Sequence, residues 1–174
     1  MSEDIALWES FRQGDRSALA DLFCAHYDML ERYGRKVVPE ESSRQDLIHD
    51  IFIELWARKT PPPVTSIQSY LLGALRNRIL AHFREKRKRS GAVPLEMDFQ
   101  MSTEDFIVAR EEERERIERL LRALEQIPPR QREILYLRFY CRLEYADICQ
   151  MMGITYQVAR NQLSLALASV RRTY

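Results

Sequence analysis

Residues 143–172 read LEYADICQMMGITYQVARNQLSLALASVRR, and their punctuation decides the fold of the carboxy-terminal half. Ala146 and Ile148 fall on the inner side of a short helix. Gly153 supplies a turn, Ile154 an apolar plug, and Thr155 a cap for a second helix whose Val158 and Leu163 point back to the core. That is the layout of a helix-turn-helix, in which the second helix crosses the first and offers its outer face to a major groove. Gln157, Arg160, Asn161, Ser164 and Arg171 lie on that face. Arginine can pair bidentately with guanine, and asparagine or glutamine with adenine, so these side chains are equipped to read base edges.

Working outward, Arg130 to Tyr140 is expected to be a helix with Ile134, Leu135, Leu137 and Phe139 available for packing. Before it, FIVAREEERERIERLLRALEQIPP is a helix of many i,i+4 charge pairs that ends ahead of Pro128-Pro129. Its charges are the ordinary dress of a solvated face. Residues 90–105 hold Ser90-Gly91, Pro94 and LEMDFQMSTED, with no sustained helical face, and are expected to be a linker. Val93, Leu95, Met97, Phe99 and Met101 alternate there with polar residues, a pattern that suits an extended groove on a partner.

Upstream of the linker, Tyr70 to Arg89 reads YLLGALRNRILAHFREKRKR. At helical spacing Leu71, Leu72, Leu75, Ile79, His82 and Phe83 gather on one side and Tyr70, Asn77, Arg84 and Lys88 on the other. From Arg76 to Arg89 there are seven Lys/Arg against one acid, Glu85. An aromatic ring, an amide and cations along one stripe suit nucleic acid, although a basic helix end alone does not require it. Thr65 or Ser66 can cap this helix after the stiff Pro61-Pro62-Pro63.

Three more helices precede it. Ser2 can cap the first, with Ile5, Leu7, Trp8 and Phe11 apolar, and Gly14-Asp15 interrupts it. A second, over about Arg16 to Val38, carries Leu19, Leu22, Phe23, Tyr27, Leu30 and Tyr33 and is stopped by Pro39. Ser42 or Ser43 opens the third, where Leu47, Ile48, Ile51, Phe52 and Leu55 form a core face with Trp56 at its margin. Ile53 lies opposite, among Asp46, His49 and Asp50. Acids around an exposed apolar side chain suit docking on a basic partner helix.

The chain has 174 residues, 45% hydrophobic and 30% charged, five glycines and no useful period-two alternation, so it is expected to be all-α. A net charge of +1 conceals the basic run and an acidic one from Glu104 to Glu118. Cys24, Cys141 and Cys149 lack the paired spacing of a zinc site or disulfide framework and are expected to be core thiols. No signal peptide or membrane-length apolar run stands out, which points to the cytoplasm and against membrane insertion. His26, His49 and His82 form no metal or nucleophile spacing with the acids, and there is no Gly-rich phosphate loop, so neither catalysis nor a cofactor is expected.

The two halves together resemble bacterial sigma-70 factors, specifically the small extracytoplasmic-function (ECF) type that keeps only the second and fourth sigma domains. DLIHDIFIELW (46–56) looks like the segment that binds core polymerase, SYLLGALRNRILAHFREKRKR (69–89) like the helix that melts and reads the −10 element, and IPPRQREILYLRFYCRLEYADICQMMGITYQVARNQL (127–163) like the fourth domain. The resemblance implies a four-helix sigma domain 2 over 1–89, a linker over 90–105, and a helix-turn-helix sigma domain 4 over 106–174. It implies core RNA polymerase on Asp46, His49, Asp50, Ile53 and Trp56. It implies −10 DNA on Tyr70, Arg76, Asn77, Arg84 and Lys88, and −35 DNA on Tyr156, Gln157, Arg160, Asn161, Ser164 and Arg171.

In the family the loop at about 63–68 helps hold a base extruded from the −10 stack, the linker threads toward the RNA exit path, and an anti-sigma factor often covers both domains. This chain departs in places: Tyr70 stands for the usual Trp, Gly73 for a frequent Arg, the loop is short and proline-rich, and the recognition helix is less basic than usual. A helix-turn-helix regulator that leaves the sigma subunit in place would also bind duplex DNA, but would not need the first four helices.

Overall fold

The computed structural model describes residues 3–90, 97–106 and 111–174. The chain divides into two compact units, Met1–Pro94 and Leu95–Tyr174. Every regular element among the described residues is helical. The expected Ser2 cap, the linker residues Val93 and Leu95, and the start of the charged helix at 107–110 lie outside the described residues.

The first unit packs α1 (Glu3–Arg12), α2 (Arg16–Arg35), α3 (Glu41–Ala57) and α4 (Ile67–Ser90), with α2 touching the other three. Asp15 starts α2 by accepting the backbone N–H of Ser17 at 2.9 Å. Hydrogen bonds from Ser17 and then Ser10 hold its carboxyl below the usual range. Trp8, Phe11, Leu22, Leu30, Tyr33, Ile48, Leu55, Leu71, Leu72, Leu75 and Ile79 are buried together, each contributing roughly 1.5–3 kcal/mol of transfer free energy. The α2–α3 corner is closed by the buried Arg44. Its guanidinium donates to Glu31 Oε1 at 2.7 and 2.9 Å and to the carbonyls of Val38 and Pro39 at 3.0 and 2.6 Å. Neither Ser42 nor Ser43 caps α3: both hydroxyls donate to the Glu40 carboxylate, one residue ahead of the helix.

In the second unit α8 (Tyr156–Thr173) packs against α5 (Glu111–Glu125), α6 (Pro129–Leu135) and α7 (Tyr145–Met152), and α6 runs into a π-helical turn over Tyr136–Tyr140. Arg132 through Leu137 are all buried. Six residues buried in a row leave no solvent face to set a helical phase. The widened turn, closed by Cys141 N–H to Tyr136 O at 3.0 Å, carries the expected core residue Phe139 out to 59% exposure. Tyr136 is buried in its stead, stacked on Tyr140. Arg142 then takes φ +56°, a left-handed conformation unusual for a residue with a Cβ, and Arg138 binds the Leu143 carbonyl at 2.7 Å just beyond it.

The expected linker is in part a piece of this second unit. Phe99 is 0% exposed, its ring centroid 5.3 Å from that of Tyr136. Met97 is buried too, Arg132 reaches Asp98 at 3.4 Å, and a short 3-10 turn follows at Thr103–Asp105. Met97 and Phe99 are thus covered within the chain, while Met101 is half-buried. The cysteines also part company with expectation: Cys141 is buried and Cys149 half-buried, but Cys24 is exposed.

Candidate nucleic-acid and protein interfaces

Helix α3 buries Leu47, Ile48, Ile51, Phe52 and Leu55 and leaves Asp46, His49, Asp50, Ile53 and Trp56 exposed on the other side, as its periodicity predicts. Ile53 is 64% and Trp56 53% exposed. His49 stacks on Phe23, and the Arg16 guanidinium lies 4.6 Å over the Trp56 ring. Three residues that sequence reasoning missed complete this face. Arg78, from α4, meets Asp50 at 3.4 Å and Glu54 at 2.6 Å, and Arg58 also reaches Glu54 at 2.6 Å. The Arg58 hydrogen bond, with Arg78 adding to it, holds the Glu54 carboxyl below its ordinary range. Arg78 sits within the basic run yet turns toward α3, and only its position one helix face away from Asn77 and Arg84 could have separated it.

On α4, Ser66 accepts the Ser69 N–H at 3.1 Å and starts the helix. Asn77, Arg84 and Lys88 are exposed along one stripe, while Arg76 is half-buried and holds an interaction of its own. Tyr70 to Lys88 spans about 27 Å at 1.5 Å per residue. Tyr70 begins the stripe but is half-buried, edge-on to Trp8 at 5.2 Å, and burial pushes its phenol up. His82 and Phe83, expected in the core, are half-buried against each other.

In the second unit Gly153 ends α7 at φ +64°, a conformation that favours glycine, and Thr155 Oγ1 accepts the Val158 N–H to start α8. Tyr156, Gln157, Arg160, Asn161, Ser164 and Arg171 are all exposed. Gln157 Nε2 donates to Asn161 Oδ1 at 2.9 Å, which orders the two amides with respect to each other. The inward residues are Ala159, Leu163 and Ala166, whereas Val158 is exposed. Ala146 is likewise exposed, and Ile148 fills the core of α7. Small alanines allow close helix approach, which a search for bulky apolar residues passes over. No group of three or more His, Cys, Asp or Glu placed to hold a metal occurs among the described residues.

These features define a class: two helical units, one bearing exposed acidic and apolar side chains beside a basic stripe, the other a helix-turn-helix with a polar outer face. Two family models match the chain, "Sigma-70 region 2" over residues 22–89 and "Sigma-70, region 4" over 117–170. Among solved structures, the sigma factor RpoE in complex with the anti-sigma factor NepR from Bartonella quintana is 14% identical. The match covers 88% of this chain and 94% of that one with a TM-score of 0.63. CnrH, in complex with the cytosolic domain of CnrY, is 16% identical over 98% of this chain and 96% of that one, with a TM-score of 0.65. A search of curated proteins found no sequence match. The chain belongs to the sigma-70 family, with the region 2 and region 4 pair of its ECF type. It is a sigma factor, which binds core RNA polymerase and directs promoter-specific initiation while the polymerase performs the chemistry.

Proposed function

We propose that the first unit grips core polymerase through Asp46, His49, Asp50, Ile53 and Trp56 and opens the −10 element along Tyr70, Arg76, Asn77, Arg84 and Lys88. The second unit reads the −35 element with Tyr156, Gln157, Arg160, Asn161, Ser164 and Arg171. The observation that carries this reading is the solvent-facing Ile53 and Trp56 among Asp46, Asp50, Glu54 and the arginines paired with the latter two, on the helix that also packs against the basic α4. An exposed apolar pair amid charge is what a partner with a basic helix would cover. Tyr70, held by Trp8, would serve as a stacking platform for an unstacked base, and the loop at about 63–68, whose last two residues open α4, as the wall of its pocket.

RpoE is bound to an anti-sigma factor and CnrH to a cytosolic domain. An inhibitory partner of that kind, in the cytoplasm, is part of the same proposal. The described helices include none long and apolar enough to cross a membrane. The test is transcription with purified chain and bacterial core polymerase, followed by sequencing of the RNA ends. A defined start with matching −10 and −35 elements is expected. RNA made only when another sigma subunit is supplied would favour the regulator reading instead.

A further inference from the structure

The segment between α3 and α4 contains Pro61, Pro62 and Pro63, which have no backbone N–H. Such a stretch cannot fasten itself by donating, so only its carbonyls serve as handles. Side chains from the first sixteen residues take them. Trp8 Nε1 donates to Pro62 O at 2.9 Å and Arg12 Nε to Pro61 O at 3.0 Å, while Arg16 Nη1 donates to the Trp56 carbonyl where α3 ends. The donors are themselves fixed. Trp8 is buried edge-on to both Phe11 and Tyr70, Arg12 binds the Glu9 carboxylate at 2.8 and 2.9 Å, and Arg16 lies over the Trp56 ring. Beyond the held carbonyls, Pro63 and Thr65 face solvent.

All three donors precede residue 22, where the region 2 match begins, so the family likeness assigns them no part. We propose that Trp8 and Arg12 are positioning residues that, by holding Pro61 and Pro62, fix the loop that follows in the shape that receives the unstacked −10 base, setting base discrimination without touching DNA. This rests on the reading that the loop walls that base. A recognition pocket works only when its supports hold it within about 0.5 Å of the productive geometry. Trp8 holds the loop with its N–H and Tyr70 with its ring, so one side chain sets the spacing between wall and platform.

The experiment uses the full chain with core polymerase on the promoter mapped by RNA-end sequencing. Each of the four bases is placed in turn at the −10 positions of the non-template strand, and open-complex yield is read by permanganate reactivity. Trp8→Phe keeps a ring and drops the donor; Arg12→Met drops the donor and Arg12→Lys restores one. Trp8→Phe and Arg12→Met are each expected to lower the preferred-to-next-best base ratio about five-fold, as for one lost hydrogen bond. Polymerase affinity should stay unchanged and Arg12→Lys should recover most of the ratio.

A loop variant, Val64→Gly with Thr65→Gly, separates the two levels of the argument. If it leaves discrimination intact, the loop holds no base and the proposal falls with that reading. If it abolishes discrimination while Trp8→Phe and Arg12→Met do not, the positioning role alone is overturned. Lower thermal stability with an unchanged ratio also overturns it, and should Trp8→Phe fail to fold, the Arg12→Met and Arg12→Lys pair decides.

Discussion

Phe99→Ala separates a tether from a structural element. A loose linker would tolerate the change, but the Phe99 ring is fully enclosed and packs on the equally buried Tyr136. Truncating such a side chain costs about 3–5 kcal/mol, a large share of the roughly 5–15 kcal/mol that holds a typical domain together. For a unit of this size each kcal/mol moves the melting temperature by about 4–8 °C, so a fall on the order of 20 °C is expected. Both tryptophans, Trp8 and Trp56, belong to the first unit, so their emission follows that unit alone. Calorimetry should therefore show one transition shifting without a matching change in tryptophan emission. Phe99→Leu, which keeps most of the volume, should cost under about 1.5 kcal/mol. A Phe99→Ala protein that melts like the parent would refute the packing argument and return residues 97–106 to the linker.

Asp50→Arg combined with Ile53→Glu should weaken polymerase binding by about tenfold or more with an unchanged far-ultraviolet CD signal, since both side chains are exposed. The exposed Asp50–Arg78 pair that it breaks is worth at most about 1 kcal/mol, and a melted CD signal would show the face to be misassigned. Asn77→Ala, or Arg84→Ala with Lys88→Ala, should reduce open-complex yield at constant polymerase affinity. The double change should also flatten the salt dependence by about 0.7–0.9 for each phosphate that is no longer neutralised, and an identical slope would remove those cations from the DNA surface. Burial lowers the His26 pKa, with Asp4 at 3.4 Å opposing, so the unfolded chain protonates first. The first unit should lose stability as pH falls below about 6.5, down to the depressed folded value. Tryptophan-detected melting of His26→Gln should lack that slope; an unchanged slope would assign it elsewhere.

The outer faces of α3 and α4 are legible in the sequence, whereas on α7 and α8 Ala146 and Val158 turn outward against expectation. Alternation of burial along α3 separated Ile53 from Ile51 and Leu55 without any structure, and Asn77, Arg84 and Lys88 are exposed as spacing predicts. Gly153 and Thr155 mark their turn because backbone conformation and capping demand those residue types. Central and tertiary features were not legible. The buried α6 segment carries no amphipathic phase, so its π turn and the outward Phe139 left no periodic trace. Phe99 sits among polar neighbours, and its partner Tyr136 is remote in sequence. Arg78 looks like any other cation of the basic run until α3 is placed beside it. Tyr70 has the right angular position for the outward stripe, but Trp8, from another helix, covers part of its ring.

The connection between α3 and α4 is held by the main-chain oxygens of Pro61 and Pro62, which every amino acid supplies. Its path therefore depends little on which side chains it carries at Val64 and Thr65. Those two sites can diverge in evolution, or be randomised in a library, with small cost to stability, so new promoter preferences could be selected on an unaltered frame.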